Sequence, residues 1–218
     1  MTYELEREVK DIPSPFLVVC DGYSDVRLID KLLQHHHISN CRVGCKSDKF
    51  APNLRSYLAA IKGVANLQSR LIRGVLVVMD ADKSPKSAFV TACEALEYAE
   101  FPVPSKPFVI EELNPRVAIY IVPGIKRKGT VEHLLLEAAY KKNPRAEKCT
   151  DEFFRCIGNA RSTANAKAKM RMSALVAATC TGNPWASAAM MWSDKPNPVP
   201  INSSCFKHLV GFPKQFSI

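Results

Sequence analysis

The sequence lacks several features that would place it in a specialised class of protein. Its apolar runs are far too short to span a bilayer, and residues 1–10 are charged without an apolar core, so neither a membrane span nor a signal peptide is expected. None of its 8 cysteines forms a Cys-x-x-Cys pair, which favours reduced thiols in a cytoplasmic protein. No Gly-x-Ser-x-Gly elbow occurs, so acyl hydrolysis has no support.

Two further motifs are incomplete. The histidines at 35–37 stand near Cys41 and Cys45, but three consecutive histidines at a helix end cannot all face one ion, and no second cysteine pair follows. Structural zinc is therefore not expected. Gly124 and Gly129 have the spacing of a phosphate-binding loop, yet no Gly-Lys-Thr follows, which excludes nucleotide binding of that kind.

The charge balance points to a polyanionic partner. Lys and Arg number 30 against 21 Asp and Glu, which gives a formal net charge of +9 over 218 residues. We expect nucleic acid as the partner, DNA before RNA, although a basic surface that serves only solubility fits the same balance. The hydrophobic content of 47% is ample for one packed domain with an extension.

Short apolar runs predict the strands of an α/β fold. The runs at residues 16–20, 75–79 and 117–122 are rich in β-branched residues, as strands buried on both faces should be. A weaker run at residues 41–45 predicts one more short strand. The prolines at 102, 104 and 107 predict an irregular connection between the last two strong runs.

A helical pattern follows each predicted strand. Ser24 and Thr130 are expected to cap two of these helices. The order βαβαβαβα predicts a mostly parallel sheet with helices on both faces over residues 1–143. Residues 144–218 change to helical patterns and proline-rich loops, which predicts a helical extension packed on the domain.

Acidic residues stand where two predicted strands end. Asp21 and Asp25 follow the first strand, and Asp80 and Asp82 follow the strand at 75–79. Open α/β sheets bind ligands at this edge, and in extended chain Asp80 and Asp82 would point to the same side. Carboxylate oxygens suit Mg²⁺ or Mn²⁺, so the pattern predicts a divalent-ion site. The alternative is that these acids are helix caps and turn formers.

These motifs carry a family resemblance. The turn Asp21-Gly22-x-x-Asp25, followed by Asp80-x-Asp82 after a later strand, resembles the TOPRIM (topoisomerase–primase) superfamily. The strand at 117–122 and the helix start at 129–135 are similar to the small stand-alone TOPRIM-like proteins and the OLD-type nucleases. The resemblance covers most of residues 14–140, and it implies a compact parallel sheet and metal-dependent phosphodiester chemistry.

The resemblance also implies roles for individual acids. Asp21 would be the general base or a metal ligand, and Asp80 and Asp82 would be metal ligands. Asp25 would be a ligand or a support of the turn, and Glu132 matches a further acid of these proteins. The first acid is glutamate in the superfamily but Asp21 here, which either draws the metal inward or weakens the site.

A late lysine and a basic loop add candidate residues. As a helix, residues 165–179 would place Lys169 in phase with the buried Met172 and Val176, and Lys167 away from them. The resemblance to OLD-type nucleases implies that Lys169 supports the transition state, whereas a lysine at the core margin is the alternative.

The basic loop follows the strand at 117–122 and is expected on the same edge as the acids. Its side chains Lys126, Arg127 and Lys128 are suited to holding a nucleic-acid backbone without reading sequence. A solvated surface loop is the alternative.

Two functions of different classes remain in view. The first is a Mg²⁺- or Mn²⁺-dependent nuclease or nicking enzyme that cleaves phosphodiester bonds, with a prokaryotic defence or mobile-element role as a secondary expectation. The second is a non-catalytic TOPRIM-fold subunit that binds nucleic acid or a protein partner in a larger complex. A receiver-type phosphoacceptor domain fits less well, because its acids are spaced differently and the chain is too long for it.

Overall fold

The computed structural model of the protein describes residues 15–46, 51–67, 72–158, 163–193 and 196–216. The strands are β1 (Phe16–Cys20), β2 (Cys41–Cys45), β3 (Gly74–Asp80), β4 (Ile110–Glu111) and β5 (Arg116–Val122). The helices are α1 (Tyr23–His35), α2 (Leu54–Leu67), α3 (Pro85–Tyr98), α4 (Val131–Lys142), α5 (Pro144–Cys156), α6 (Ala164–Thr179) and α7 (Lys207–Phe216). None of the described helices is long and apolar enough to cross a membrane. Residues 1–10, on which the signal-peptide expectation rests, lie outside the described residues.

The strands form one sheet in the order β2-β1-β3-β5-β4, in which only β4 is antiparallel. Alternate residues of the central strands enter two separate cores. Val18 and Cys20 of β1 pack under α1, α4, α6 and α7, whereas Leu17 and Val19 pack under α2 and α3. The predicted α/β class, with a mostly parallel sheet and helices on both faces, is confirmed.

The edge strand β4 is absent from the predicted strand order. It has two residues, Ile110 and Glu111, and pairs with Ala118 and Val117 of β5. A segment of two residues is too short to show an alternating pattern in the sequence. Its place in the sheet depends on its pairing with the neighbouring strand. The proline-rich stretch before it is irregular, as predicted.

The C-terminal extension shares a core with the α/β part. Met172 and Val176 of α6 and Phe212 of α7 are buried in the same cluster as the inner faces of α1 and α4. The rings of Phe212 and Tyr120 lie 5.6 Å apart, which brings α7 directly onto β5. The extension therefore completes one face of the sheet.

The start of α1 differs from the prediction. The helix begins at Tyr23 and its N-cap is Gly22 in an extended conformation, so Ser24 lies inside the first turn and does not cap it. A glycine N-cap supplies no capping side chain, but the backbone N–H groups of Asp25 and Gly22 favour the charged form of the Asp25 carboxyl in the first turn. One of the candidate acids, Asp25, therefore lies at the N-terminus of this helix, beside its backbone N–H groups.

Candidate functional site

The carboxyl ends of β1 and β3 lie side by side at one edge of the sheet. The two strands are neighbours, and the Asp21 N–H donates to the carbonyl of Val78 at 3.1 Å. The helices that follow them, α1 and α3, pack on opposite faces of the sheet. Open α/β sheets bind their ligands at such a topological switch point. Asp21 follows β1 directly, Asp25 lies in the first turn of α1, and Asp80 is the last residue of β3.

Asp25 carries a buried carboxylate oxygen without a partner. The residue is 3% exposed, and its Oδ1 has no hydrogen-bond partner in the structure. Burial, and after it the charges of Glu132 and Asp21, raise the pKa of Asp25 to about 7, while the backbone N–H groups of Asp25 and Gly22 act in the opposite direction. A buried acceptor of this kind is costly unless a cation or a proton satisfies it.

Asp80 faces the start of α4. Its Oδ1 accepts a hydrogen bond from the Val131 N–H at 2.8 Å. Burial raises the pKa of Asp80 to about 9, and the charges of Asp25, Glu132 and Asp21 act in the same direction, while the Val131 N–H opposes them. The carboxylates of β1, α1, β3 and α4 are therefore close enough to repel one another.

Glu132 is the fourth member of this group. It lies in the first turn of α4, is 7% exposed, and its Oε2 accepts a hydrogen bond from the Thr130 hydroxyl at 2.6 Å. Together, Asp21, Asp25, Asp80 and Glu132 are called the acid cluster below. The sequence named all four, but only the fold places Glu132 beside Asp25.

Asp82 lies apart from the acid cluster. It adopts a left-handed conformation with φ of 46°, so the chain turns after Asp80, and the expectation that both acids point to the same side of an extended chain is wrong. The exposed Asp82 side chain accepts a hydrogen bond from Asn165 Nδ2 at 2.8 Å. Its backbone pairs with Gly129, which fixes the loop before α4 beside it.

Lys46 is a residue of this edge that the sequence reasoning missed. It follows β2 directly, and its Nζ lies 2.6 Å from Oδ1 of Asp21. The parallel register pairs Cys20 with Cys45, which places the next residues, Asp21 and Lys46, side by side. The sequence does show a lysine directly after the weak strand pattern at 41–45. That lysine could be assigned to the site only once the order of the strands in the sheet was known.

The predicted lysine of α6 is not in phase with the core. Ala168, Met172 and Val176 are buried, Lys167 is half-buried and Lys169 is exposed. The small Ala168 takes the inner position because a lysine there would bury its charge. Asn165, one turn before Lys169, is the α6 residue that reaches the acid edge.

The basic loop lies on the same edge as the acid cluster, as expected. Lys126, Arg127 and Lys128 are exposed, and the bridge between Asp82 and Gly129 anchors the end of the loop. Arg127 forms an ion pair with Glu137 of α4 at 2.6 Å, which offsets its charge. The positive charge that this loop presents to solvent therefore comes from Lys126 and Lys128.

Gly129 cannot carry a side chain in this arrangement. Its φ is +131°, and an added Cβ would lie 2.8 Å from Nδ1 of His133, the atom that accepts the Thr130 N–H and fixes the first turn of α4. We expect Gly129→Ala to lower the free energy of unfolding by about 2 kcal/mol, measured by urea denaturation. Gly63→Ala is the control, since its Cβ meets nothing within 4 Å in α2 and should add about 0.5 kcal/mol.

The acid cluster has the donor chemistry for a hard divalent ion. Oxygen ligands on a compact edge suit Mg²⁺ or Mn²⁺, and the unpartnered Oδ1 of Asp25 fits such an ion. Within the described residues, no three His, Cys, Asp or Glu side chains already stand in a ligand arrangement. Three of the carboxylates instead accept hydrogen bonds from Lys46, Val131 and Thr130.

Comparison with known proteins gives one match. No curated protein and no solved structure matches the chain. A family model described as "Protein of unknown function (DUF3226)" matches residues 15–212, a span that holds the whole sheet, the acid cluster and most of the C-terminal extension. The chain therefore belongs to the DUF3226 family.

Proposed function

We propose that the protein is a TOPRIM-like nuclease that cleaves nucleic-acid phosphodiester bonds with Mg²⁺ or Mn²⁺. The observation that carries this proposal is the acid cluster at a switch point of the sheet, where burial and then the neighbouring carboxylates raise the pKa of Asp25 and Asp80. Such a concentration of negative charge is unfavourable without a cation, and it is typical of functional sites. We place the activity in the cytoplasm, following the cysteine usage of the sequence.

The residues that would hold the ion are Asp25, Asp80 and Glu132, with Asp21 at the open side. Asp25 and Glu132 are buried, whereas the Asp21 side chain is 27% exposed and borders solvent. A bound divalent ion would offset part of the negative charge of the carboxylates and polarise a phosphate oxygen. Asp82 and Asn165 lie at the rim, where their hydrogen bond joins α6 to the edge of the site.

The half-exposed carboxylate of Asp21 suits proton transfer. Its side chain is 27% exposed, so water can reach it, and once its partner Lys46 has moved it can accept a proton from an attacking water. The exposed Lys126 and Lys128 would hold the substrate backbone beside it through charge alone, which favours binding that is independent of sequence.

A plasmid assay tests the proposal. We expect nicking of supercoiled DNA with Mn²⁺ or Mg²⁺, loss of nicking in chelator, and a reduction of about a thousandfold in Asp80→Asn. Asp82→Asn should have a much smaller effect, because Asp82 lies outside the acid cluster. The exposed Glu112→Gln is the charge-matched control and should keep wild-type activity. Metal-dependent nicking that survives Asp80→Asn would refute the site.

A non-catalytic nucleic-acid-binding subunit is the second candidate. It is supported by the ion pair between Lys46 and Asp21, which already occupies one carboxylate of the cluster. If this candidate is right, the protein binds DNA but does not cleave it with any divalent ion, even at protein concentrations that saturate the DNA.

Both candidates share a prediction for the basic loop. We expect the double substitution Lys126→Gln/Lys128→Gln to weaken DNA binding and to lower the slope of log affinity against log salt by about 2, because two phosphate contacts are lost. Fluorescence anisotropy with labelled DNA at several salt concentrations measures both quantities. An unchanged slope would show that the loop is only a solvated surface.

A further inference from the structure

The ion pair between Lys46 and Asp21 lies at the open side of the acid cluster. The side chains are 36% and 27% exposed, and Nζ lies 2.6 Å from Oδ1. The parallel pairing of β1 with β2 holds the two residues next to each other, so the contact follows from the sheet register. Lys46 is therefore a tethered cation at the edge where three further carboxylates converge.

A divalent ion bound to Oδ1 of Asp21 would compete with this contact. An oxygen-bound Mg²⁺ or Mn²⁺ lies about 2.1 Å from its ligand atom. An ammonium 2.6 Å from the same oxygen would be repelled by the ion, so ion binding at this oxygen favours release of Lys46 from Oδ1. The backbone of β2 nevertheless keeps the lysine at the same edge of the sheet.

The displaced ammonium needs a new anion. Its four-carbon stem is flexible and its three donors can turn toward any nearby acceptor. With the ion bound among the carboxylates, a phosphate group of the substrate is an anion that the released ammonium can reach at this edge. A lysine beside it would hold a non-bridging oxygen and offset charge that develops during cleavage.

We infer that Lys46 exchanges partners: it is the counter-ion of Asp21 without the divalent ion, and a phosphate-binding residue of the substrate site with the ion present. This inference rests on the proposed function. It assigns opposite effects to one side chain, because Lys46 opposes ion binding and favours binding of the nucleic-acid backbone. A lysine that only stabilised the fold would produce neither effect in this combination.

The experiment compares Lys46→Gln with the wild type in two binding measurements. Mn²⁺ binding is followed by electron paramagnetic resonance, and we expect about a fivefold tighter dissociation constant, the worth of a partly exposed ion pair. Binding of a phosphorothioate oligonucleotide, which resists cleavage, is followed by anisotropy in saturating Mn²⁺. Here we expect about tenfold weaker binding, because a charge-assisted hydrogen bond to phosphate is lost.

Two control variants separate charge from position. Lys46→Arg keeps the charge and should stay within about twofold of the wild type for Mn²⁺. Lys106→Gln removes an exposed lysine that follows α3, and both binding constants should stay within about twofold. The thermal unfolding of each variant confirms that it is folded before binding is compared.

The outcomes distinguish this inference from the proposed function. Tighter Mn²⁺ binding with weaker oligonucleotide binding supports it, even where no cleavage is observed and the nuclease proposal fails. Mn²⁺ binding by Lys46→Gln but not by the wild type also supports the exchange. Unchanged Mn²⁺ affinity, unchanged oligonucleotide affinity, or no Mn²⁺ binding by either protein overturns it, and the first two leave a nuclease proposal standing.

Discussion

Replacing Asp25 with asparagine is expected to abolish divalent-ion-dependent cleavage while making the metal-free protein more stable. The loss of cleavage should be about a thousandfold, because a buried ligand of the ion is removed. The gain in stability arises because the wild-type carboxylate is buried and repelled by Glu132 and Asp21, and its Oδ1 has no partner. An amide has no charge to bury, and its N–H₂ group can donate to the neighbouring carboxylates.

The size of the gain follows from the pKa of Asp25, which the fold raises from 3.8 to about 7. That rise costs roughly 4 kcal/mol of folding free energy once the group is ionised, so a gain of about 2 kcal/mol is expected in Asp25→Asn at pH 8. The gain should shrink toward pH 5, where Asp25 is protonated in the folded protein. Urea denaturation in chelator at both pH values measures it.

Asp30→Asn is the matched control for Asp25→Asn. Asp30 lies in the same helix and is 8% exposed, but its Oδ2 accepts a hydrogen bond from Gln34 Nε2 at 2.9 Å. Because this carboxylate has a partner, the substitution should not stabilise the protein, and cleavage should be unchanged. A destabilised Asp25→Asn that retains full cleavage would contradict both the metal site and its electrostatic cost.

The second large effect is a loss of stability of the metal-free protein as the pH rises. Asp25 and Asp80 have folded pKa values of about 7 and about 9, above the ordinary value of 3.8. Between pH 4 and pH 9 the folded state therefore binds more protons than the unfolded state, and the free energy of unfolding falls with pH. The contribution of these two groups to the free energy of unfolding is fully present below pH 4. It is lost as the pH rises through about 7 and about 9, where the two groups ionise in the folded protein.

Divalent ions should reverse this trend. Binding requires deprotonated carboxylates, so the stabilisation by Mn²⁺ should grow from pH 5 to pH 8. Thermal unfolding with and without Mn²⁺ across this range measures the effect, with Asp80→Asn as the comparison protein. A metal-free stability that rises from pH 5 to pH 8 would show that the acid cluster is not electrostatically strained.

The sequence predicted the elements that have strong local signals. The three apolar runs became β1, β3 and β5, and the acids after two of them lie at the carboxyl edge of the sheet. The run at 41–45 also became a strand, β2. These predictions succeeded because buried parallel strands are continuous apolar segments, and strand ends follow from where the segments stop.

Other parts of the site depended on contacts between distant segments. Asp82 departs from the cluster because the chain turns in a left-handed conformation, and Asn165 of α6 meets it from 83 residues away. Lys169 turned outward because Ala168 fills the inner position of α6 more easily than a charged side chain can. None of these outcomes has a signature in the local sequence.

The sequence by itself determined the class of the fold, the edge of the sheet at which the acids lie and the identity of those acids, since these follow from hydrophobic periodicity and from where each strand ends. Tertiary structure alone decided which acids converge and what neutralises them. Asp25, Asp80 and Glu132 repel one another because separate elements bring them together in a largely buried place, and Lys46 reaches Asp21 only because β2 lies beside β1 in parallel register. Charge repulsion and ion pairing act through space over a few ångströms, so they depend on the packing of the strands and not on their order in the chain.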